Sequence, residues 1–351
     1  MHLWFNTSAL FTRWVVSAGL LERPFVVVDV GVQGAENSRW HLLGDYLVVQ
    51  GFDAIEEVIG LLRRKNANYP NRHYHWLAAG SADEERAFYV NEAESTSSSF
   101  YAQGDDRFGL RDKRDERARM VTVRRLDTLL AEGIIPAPDF LKCDVEGFEK
   151  EVFLGASRTL RTVLGVEVET SFSISPLYPK THFVTVQELL LEARLLPFDL
   201  NFNRVPRASF VAAVKDRRKS GRASLSDIGK PATFNVLFCR DLIDEADHSE
   251  HYTSLADPVE VDQLIKLMVI YELHRLNDVA LDTAVRFADR LAGRFDVDKA
   301  IYLLADPNCR RGALSSIRLW PLRTLPMRAL RKAGRMMRPK RPPPTRQPAA
   351  R

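Results

Sequence analysis

The 351-residue sequence is long enough for one large or two modest domains, and its 45% hydrophobic and 27% charged residues exclude a disordered or fibrous protein. Its three cysteines, Cys143, Cys239 and Cys309, lie far apart, which argues against a disulfide framework or a cysteine metal site and favours a cytoplasmic location. The net charge of +4 is unevenly distributed along the chain. Arg310–Arg351 contains thirteen basic residues and no acid, so the rest of the chain carries −9.

Segments typical of strands and helices alternate through the first two thirds of the chain. The β-branched run Pro24–Gly34 lacks polar alternation, as expected for a parallel strand covered on both faces. Further strands are predicted at "LVVQGFDA", "YHWLAAGS", "ERAFYVNEA", "MVTVRR", "DFLKCDVEG" and "VLGVEVET", and helices at "IEEVIGLLRRKN", "FEKEVFLGASRTL" and "TVQELLLEARLL", the last with a Thr cap. The segments "PFDLNFN" and "TFNVLFCRD" predict an antiparallel pair. This order predicts a doubly wound α/β domain with a mostly parallel sheet and a C-terminal antiparallel hairpin.

The pattern divides the chain into four regions. An N-terminal arm covers residues 1–22, where the longest uncharged run is too short to span a bilayer. The α/β domain covers 23–245. A helical appendage covers 246–305, within which Asp257–Phe295 predicts two amphipathic helices. Residues 306–351 form a basic, Pro-rich tail that we expect to be disordered.

The first candidate site follows the first strand. Ligands of doubly wound folds bind beyond the carboxyl ends of the strands, and glycines there let the backbone approach a ligand. Asp29, Gly31 and Gly34 occupy this position, although a tight turn is the simpler explanation of the glycines alone. Asp53 ends the second strand, where a carboxylate can bind a ribose or cap the next helix. Nicotinamide, flavin and S-adenosylmethionine cofactors are alternatives, and the lack of a glycine between Gly31 and Gly34 argues against a dinucleotide.

The second candidate site is the charged end of "FLKCDVEG". On a strand, Lys142, Asp144 and Glu146 share one face, and three buried charges are costly unless that end opens to a cleft. The alternative is structural, with Glu146 capping the next helix and Lys142 paired to Asp144. Glu149 and Glu151 follow on that helix, and we expect them to face solvent.

Eight blocks between Pro24 and Arg240 carry a resemblance to a known family: "VVVDVGVQG", "VVQGFDAIEE", "LAAGSADEERAFYV", "STSSSF", "VTVRRLDTLL", "DFLKCDVEGFEKEVFLGASRTL", "VLGVEVE" and "TFNVLFCR". Their order and spacing resemble the FkbM-type S-adenosylmethionine-dependent methyltransferases. The most specific part, "LKCDVEGFEKEVFLGA", is similar to the Lys-x-Asp-x-Glu-Gly signature of that family. The resemblance implies a Rossmann-like fold, S-adenosylmethionine as cofactor, and O-methylation of a hydroxyl on a sugar, polysaccharide or secondary metabolite.

The resemblance also implies roles for individual residues at the cofactor. Asp53 would bind the ribose hydroxyls, although most relatives have Phe-Glu-Pro where this chain has Phe52-Asp53-Ala54. Ser81 and Asp83 are the candidates for the adenine amine. The methionine end of the cofactor would be lined by Asp29, Gly31 and Gly34.

Methyl transfer depends mainly on aligning the acceptor with the methyl group, and a hydroxyl acceptor also benefits from a base. We expect Asp144 to lie closest to the chemistry, Glu146 to orient it or the acceptor, and Lys142 to tune or neutralise the cluster. No metal site is predicted. The second-rank candidates for binding the acceptor are Glu167, Glu169 and His182.

The expected partner is a small-molecule or glycan acceptor. A catalytically degenerate binding or scaffold module is the alternative, because the first glycine motif is altered and the extensions are long. A nucleic-acid methyltransferase is disfavoured, because the Asn/Asp-Pro-Pro-aromatic motif of amino-group methylation is absent. The basic tail could lie on an anionic membrane surface, bind an acidic partner or be a solvated extension.

Overall fold

The computed structural model describes residues 9–33, 37–91, 98–101, 116–172, 181–205, 229–247 and 259–305. The strands within these residues are β1 (Phe25–Val30), β2 (Leu47–Asp53), β3 (Arg72–Trp76), β4 (Ala78–Ala79), β5 (Glu84–Asn91), β6 (Glu116–Arg124), β7 (Phe140–Cys143), β8 (Gly165–Thr170), β9 (Leu195–Val205) and β10 (Lys230–Arg240). Gly34 and the basic tail, residues 306–351, lie outside the described residues.

A seven-stranded sheet in the order β3–β2–β1–β7–β8–β10–β9 forms the centre of the molecule. Its first five strands pair in parallel, whereas β10 runs antiparallel to both of its neighbours. The structure thus confirms the predicted α/β fold with a mostly parallel sheet. The strand order reverses at β1, which lies between β2 and β7, and such a switch point is where ligands of these folds bind.

The helices are α1 (Leu10–Ser17), α2 (Glu56–Lys65), α3 (Leu126–Ala131), α4 (Glu149–Leu154), α5 (Phe183–Glu192), α6 (Leu242–Asp247), α7 (Val261–Leu273), α8 (Asn277–Arg286), α9 (Ala288–Leu291) and α10 (Val297–Leu304), with 3-10 segments at Ser38–Tyr46 and Thr159–Arg161. Helix α2 begins with acids and ends with bases, which complements its dipole. Among the described helices, none combines the length and the apolar character that a bilayer crossing requires.

A small second sheet, in the order β4–β6–β5, changes the expected third strand. The segment "YHWLAAGS" was expected to form one strand, but it divides into β3 in the main sheet and β4 in the small sheet. Gly80, the residue after β4, packs closely against β6 and the residue before α4. An added Cβ would come within 2.5 Å of Val123 and 3.2 Å of Phe148. An uninterrupted run of strand-forming residues does not reveal such a change of sheet, since its pattern is the same in both halves.

The predicted helix "FEKEVFLGASRTL" is shorter than expected and ends at Gly155. A Cβ at Gly155 would lie 1.8 Å from the carbonyl oxygen of Gly80, so the backbone itself packs there. The chain then continues to Thr159–Arg161, which Asp127 anchors by accepting hydrogen bonds from the backbone of Arg158 and Thr159 at 2.9 and 2.8 Å. Close packing against the small sheet therefore replaces the second half of the expected helix.

Helix α5 begins two residues before the predicted Thr185 cap. Its N-cap is His182, which makes no side-chain capping hydrogen bond. The backbone N–H of Phe183 donates instead to the carbonyl of Ser171 at 3.0 Å, where Ser171 and His182 form an isolated bridge. The bridge, which joins residues distant in sequence, sets the start of the helix.

The region predicted as a helical appendage covers one face of the main sheet. Helix α7 is buried along nearly its whole length and shares a hydrophobic core with Phe25 of β1 and Phe140 of β7. A helix that is apolar on most sides, as "VDQLIKLMVIYEL" is, belongs inside a protein. Helix α1 joins this layer, because Glu272 accepts hydrogen bonds from the backbone N–H groups of Phe11 and Thr12 at 3.0 and 2.7 Å.

Candidate active site

A cavity of about 270 Å³ opens at the carboxyl ends of β1, β2, β7 and β8, at the switch point of the sheet. Its apolar wall comes from both sheets and from the residues after β5. Asp53, at the end of β2, lies on the cavity lining as well. The acidic side is formed by three carboxylates from β7, the turn that follows it and β8. The apolar wall includes Phe52, Ala78, Ala79, Phe88 and Phe100, and the acidic side consists of Asp144, Glu146 and Glu169.

The register of the strands explains why the charges meet. Asp29 of β1 pairs with Lys142 of β7, and Lys142 pairs with Glu167 of β8. Side chains at paired positions point to the same face of a sheet, so these three charges form one row. Two residues further on, Asp144 and Glu169 extend the same face to the mouth of the cavity.

Lys142 is the centre of a buried ion-pair network. Its Nζ lies 3.5 Å from Oδ1 of Asp29 and 3.4 Å from Oδ2 of Asp144. Burial alone would lower the pKa of Lys142, but the charges of Asp29, Asp144 and Glu167 outweigh burial and raise it. The expected pair between Lys142 and Asp144 therefore exists, as part of a larger cluster that also lines the cavity.

Asp29 is the most buried acid of this network, with 2% of its surface exposed. Burial raises the pKa of Asp29, opposed by the nearby Lys142 ammonium. Its Oδ1 accepts no hydrogen bond from the described residues and has only the long ion pair to Lys142. A buried carboxylate oxygen without a hydrogen bond is costly, and this one lies beneath the cavity floor.

Glu167 supports the network from the side away from the cavity. Its Oε2 lies 3.4 Å from Nη1 of Arg39 and 3.4 Å from Nε2 of His274, at the end of α7. Burial would raise the pKa of Glu167, but the hydrogen bond from His274 and the charges of Arg39 and Lys142 lower it to about 2. Glu167 does not line the cavity, so the structure gives it a supporting position.

Asp144, Glu146 and Glu169 place carboxylate oxygens within 4.8 Å of one another. This spacing would accommodate a cation, but acidic side chains often cluster without one, and the cluster alone identifies no metal site. Oε1 of Glu169 accepts hydrogen bonds from Thr233 Oγ1 at 2.8 Å and from Asn203 Nδ2 at 3.2 Å. Burial and the negative charge of Asp144 raise the pKa of Glu169 to about 7.

The turn after β7 is held by a residue that was expected to face solvent. Glu149 is only 2% exposed, and its Oε1 accepts a hydrogen bond from the backbone N–H of Gly147 at 2.8 Å. The expectation for Glu149 was therefore wrong, and so was the alternative that Glu146 caps α4, because the N-cap is Phe148. Glu146 instead lies in the left-handed region, with φ +53°, and lines the cavity.

Gly31 lets the ends of β1 and β7 approach each other. Its φ is +84°, and an added Cβ would lie 1.9 Å from the carbonyl oxygen of Asp144. The backbone N–H of Gly31 also donates to the carbonyl of Phe52 at 2.9 Å. Gly31 lines the cavity as expected, and contact between backbones is sufficient to require a glycine there.

Asp53 lies on the cavity lining and is also held by the backbone that leads into α2, whose N-cap is Ile55. Its Oδ1 accepts a hydrogen bond from the backbone N–H of Ile55 at 2.8 Å, just before α2, and its side chain lines the cavity. Burial raises the pKa of Asp53 to about 6, against the effect of that hydrogen bond.

Ser81, Asp83 and His182 lie away from the cavity lining. Ser81 Oγ donates to Oε2 of Glu151 at 2.5 Å. Asp83 accepts hydrogen bonds from the backbone N–H of Arg125 at 2.7 Å and from the Arg124 side chain at 3.1 Å. The structure gives these two adenine candidates other partners, because the chain turns at Gly80 toward the small sheet.

Phe88, Ser98 and Phe100 are lining residues that the sequence did not suggest. They come from β5 and the residues after it, and Tyr89 and Ser99 hydrogen-bond to each other through their backbones at 2.9 and 3.1 Å. Aromatic residues in a strand are ordinary core residues by pattern alone. The signals for this segment were two blocks within the resemblance, "LAAGSADEERAFYV", which contains Phe88, and "STSSSF", which contains Ser98 and Phe100.

Residues 45–191 match the model of the Methyltransferase FkbM domain. Similar solved structures include a precorrin-6y C5,15-methyltransferase from Geobacter metallireducens (10% identity over 65% of this chain and 87% of that one, TM-score 0.33). Others are the N-methyltransferase NodS from Bradyrhizobium japonicum (6%, 67% and 93%, TM-score 0.29) and a SAM-dependent methyltransferase from Methanosarcina mazei (11%, 64% and 96%, TM-score 0.27). At these TM-scores nothing further is concluded from the likeness. No curated protein sequence matches the chain.

Proposed function

The chain belongs to the FkbM methyltransferase family of S-adenosylmethionine-dependent enzymes, and we propose that it methylates a hydroxyl oxygen on a sugar, polysaccharide or secondary metabolite. The observation that supports this proposal most is the position of one cavity. It lies at the switch point of the sheet and is lined by Gly31, Asp53 and the end of the "LKCDVEG" block.

Several features of this cavity and of Asp29, which lies next to its lining residue Val30, fit S-adenosylmethionine. The apolar wall offers flat contacts to an adenine ring, and Asp53 supplies a carboxylate for ribose hydroxyls. Asp29, whose Oδ1 accepts no hydrogen bond within the described residues, and Gly31 would hold the methionine end. When bound, the cofactor supplies an electrophilic methyl carbon on a positively charged sulfur. The acidic side of the cavity complements that positive charge.

The acidic side also suits a hydroxyl acceptor. We assign Asp144 to the position nearest the reacting hydroxyl and Glu146 to orienting the acceptor. Lys142 offsets part of the negative charge and fixes Asp144 through the 3.4 Å ion pair. Positioning of this kind is the main contribution that an enzyme makes to methyl transfer.

Calorimetric titration of the full chain with S-adenosylmethionine tests the cofactor site. Asp53→Asn should weaken binding at least tenfold, because its ribose contact changes from a charged to a neutral acceptor. Asp45→Asn, the same change at an exposed position before β2, should leave the Kd within twofold. If the wild-type chain does not bind the cofactor, the scaffold alternative is favoured and the proposal fails.

A panel of methyl glycosides tests the acceptor class. We expect release of S-adenosylhomocysteine and an O-methyl signal in the NMR spectrum of the product. A product methylated on nitrogen or carbon would contradict the hydroxyl proposal while leaving the family assignment intact.

A further inference from the structure

Glu169 differs from the other acids of the cavity in the partners that hold it. Thr233 of β10 and Asn203 of β9 both donate to its Oε1, at 2.8 and 3.2 Å. Thr233 is also bound by Asn203 at 3.1 Å, so the three side chains form a closed triangle. The antiparallel hairpin therefore fixes one oxygen of a carboxylate that lines the cavity.

The charges that face Glu169 are negative. Asp144, directly after β7, and Glu146, in the turn that follows, each place a carboxylate oxygen within 4.8 Å of an oxygen of Glu169. From β9 and β10 Glu169 receives neutral donors only, Asn203 and Thr233, within the described residues.

The neighbouring acids have cations instead. The Lys142 ammonium lies 3.4 Å from Asp144 and 3.5 Å from Asp29, and Arg39 lies 3.4 Å from Glu167. A carboxylate beside a cation favours the ionised state, whereas one that is buried among acids takes up a proton more readily. Glu169 thus differs from its neighbour Asp144 in having surroundings that suit a base.

We propose that Glu169, positioned by Thr233 and Asn203 beside Asp144, accepts the proton of the acceptor hydroxyl; this inference rests on the proposed function. The acceptor O–H bond breaks and its proton moves to a carboxylate oxygen of Glu169. The electron pair of the acceptor oxygen forms the new C–O bond, and the electron pair of the broken methyl–sulfur bond goes to sulfur. Thr233 and Asn203 are positioning residues.

The protonation equilibrium of Glu169 agrees with this role. Burial and the charge of Asp144 raise its pKa to about 7, opposed by the hydrogen bond from Thr233. A base is most effective when its pKa is near the working pH, because a sufficient fraction is ionised and still binds a proton strongly. Removal of the Thr233 donor should therefore raise the pKa further.

Carbon-13 NMR of the full chain, labelled at the side-chain carboxyl of Glu, tests the inference without any acceptor. The resonance that disappears in Glu169→Gln should titrate near pH 7 and shift to higher pH in Thr233→Val, with Thr233→Ser restoring the wild-type value. A midpoint at or below about pH 5 in the wild-type chain would overturn the proposal. If the wild type binds S-adenosylmethionine but Glu169 titrates normally, the inference fails and the proposed function survives.

Turnover with the methyl glycosides adds a second readout. Glu169→Gln should lower kcat by about 10²–10⁴-fold, while the calorimetric Kd for S-adenosylmethionine stays within threefold. Glu192→Gln, the same change at an exposed position on α5, should keep wild-type turnover. Unchanged kcat in Glu169→Gln would contradict the proposal. So would loss of turnover on adding EDTA with recovery by Mg²⁺, because the acids would then act as metal ligands.

Discussion

Two lysines lie at the opposite ends of β1 and β7, and they differ in burial, since Lys266 is buried and the Lys142 side chain is 24% exposed. At the amino end, Lys266 donates to both oxygens of Asp139 at 2.9 and 3.1 Å and to the carbonyl of Pro24 at 2.7 Å. At the carboxyl end, Lys142 keeps Asp29 and Asp144 at 3.5 and 3.4 Å. The short contacts to Asp139 and Pro24 hold the strands to α7, and Lys266 also lies 3.5 Å from Oδ2 of Asp262, whereas the contacts at the other end border a cavity.

Buried charge at the end of a strand does not by itself identify a functional site. A buried ion pair alone is weak evidence for a site, because it can hold elements together. Asp139 illustrates the structural case, since its Oδ2 also accepts a hydrogen bond from the backbone N–H of Val26 at 2.8 Å. Asp29 illustrates the other case, because its ion pair with Lys142 continues to Asp144 on the cavity lining.

The largest effect on the free energy of unfolding is expected at the amino ends of β1 and β7. Lys266→Met would leave the buried carboxylate of Asp139 without its cation and Asp262 with Arg23 alone, and breaking such a buried pair costs about 3–5 kcal/mol. Urea denaturation measures this loss in the free energy of unfolding. Lys65→Met, on the exposed end of α2, is the matched control and should change stability by less than about 0.5 kcal/mol. A similar stability for both variants would contradict the structural role of Lys266.

Lys142→Met should be less damaging to stability and more damaging to activity. Its cluster borders the cavity, so Asp29 can take up a proton once the ammonium is gone, and we expect a loss of about 1–3 kcal/mol. Turnover should fall at least tenfold, because Asp144 loses the partner that fixes it. The comparison between the two lysines fails if Lys142→Met unfolds more easily than Lys266→Met.

The stability of Glu169→Gln relative to wild type should depend on pH. Because folding raises the pKa of Glu169 from 4.5 to about 7, its stabilising contribution is complete below pH 4.5 and is lost as the pH rises through 7. The Gln side chain stays neutral. The variant should therefore gain stability over the wild type between pH 4.5 and 7, by at most about 1.4 kcal/mol per unit of pKa. Denaturation curves at pH 4.5 and 8 measure this gain, and an equal difference at both values would contradict it.

The smallest effect on cofactor binding is expected from substitutions outside the cavity. Ser81→Ala and Asp83→Asn alter side chains bound to Glu151 and Arg124, so the Kd for S-adenosylmethionine should stay within about twofold of wild type. Calorimetric titration measures the Kd of both variants. A tenfold weaker Kd in either variant would restore these residues as adenine ligands and show that the cavity extends beyond its present lining.

The main sheet was readable from the sequence because its strands are continuous apolar runs with helices between them. The same pattern placed Asp53, Lys142 and Asp144 at one edge, and the structure brings all three to the cavity lining. What the pattern could not show was contact between distant segments. The approach of Gly155 to Gly80 shortens α4, and the small sheet carries Phe88 to the cavity.

Burial of charged residues was equally hard to foresee. Glu149 on a helix with acids and a lysine looks solvent-exposed, yet it turns back to bind the backbone N–H of Gly147. Glu167 and Glu169 stand two residues apart on β8 and looked equivalent. Arg39 and His274 bind the first, and Thr233 and Asn203 bind the second, and these partners lie 30 to 130 positions away in the sequence. Local patterns do not contain that information.

A crystal structure of the full chain with S-adenosylhomocysteine tests the central claim most directly. We expect the ligand in the cavity at the carboxyl ends of β1, β2, β7 and β8. Its ribose should lie against Asp53, and its sulfur should face the carboxylates of Asp144 and Glu169. Ligand bound at any other place, or a ribose without contact to Asp53, would contradict the account.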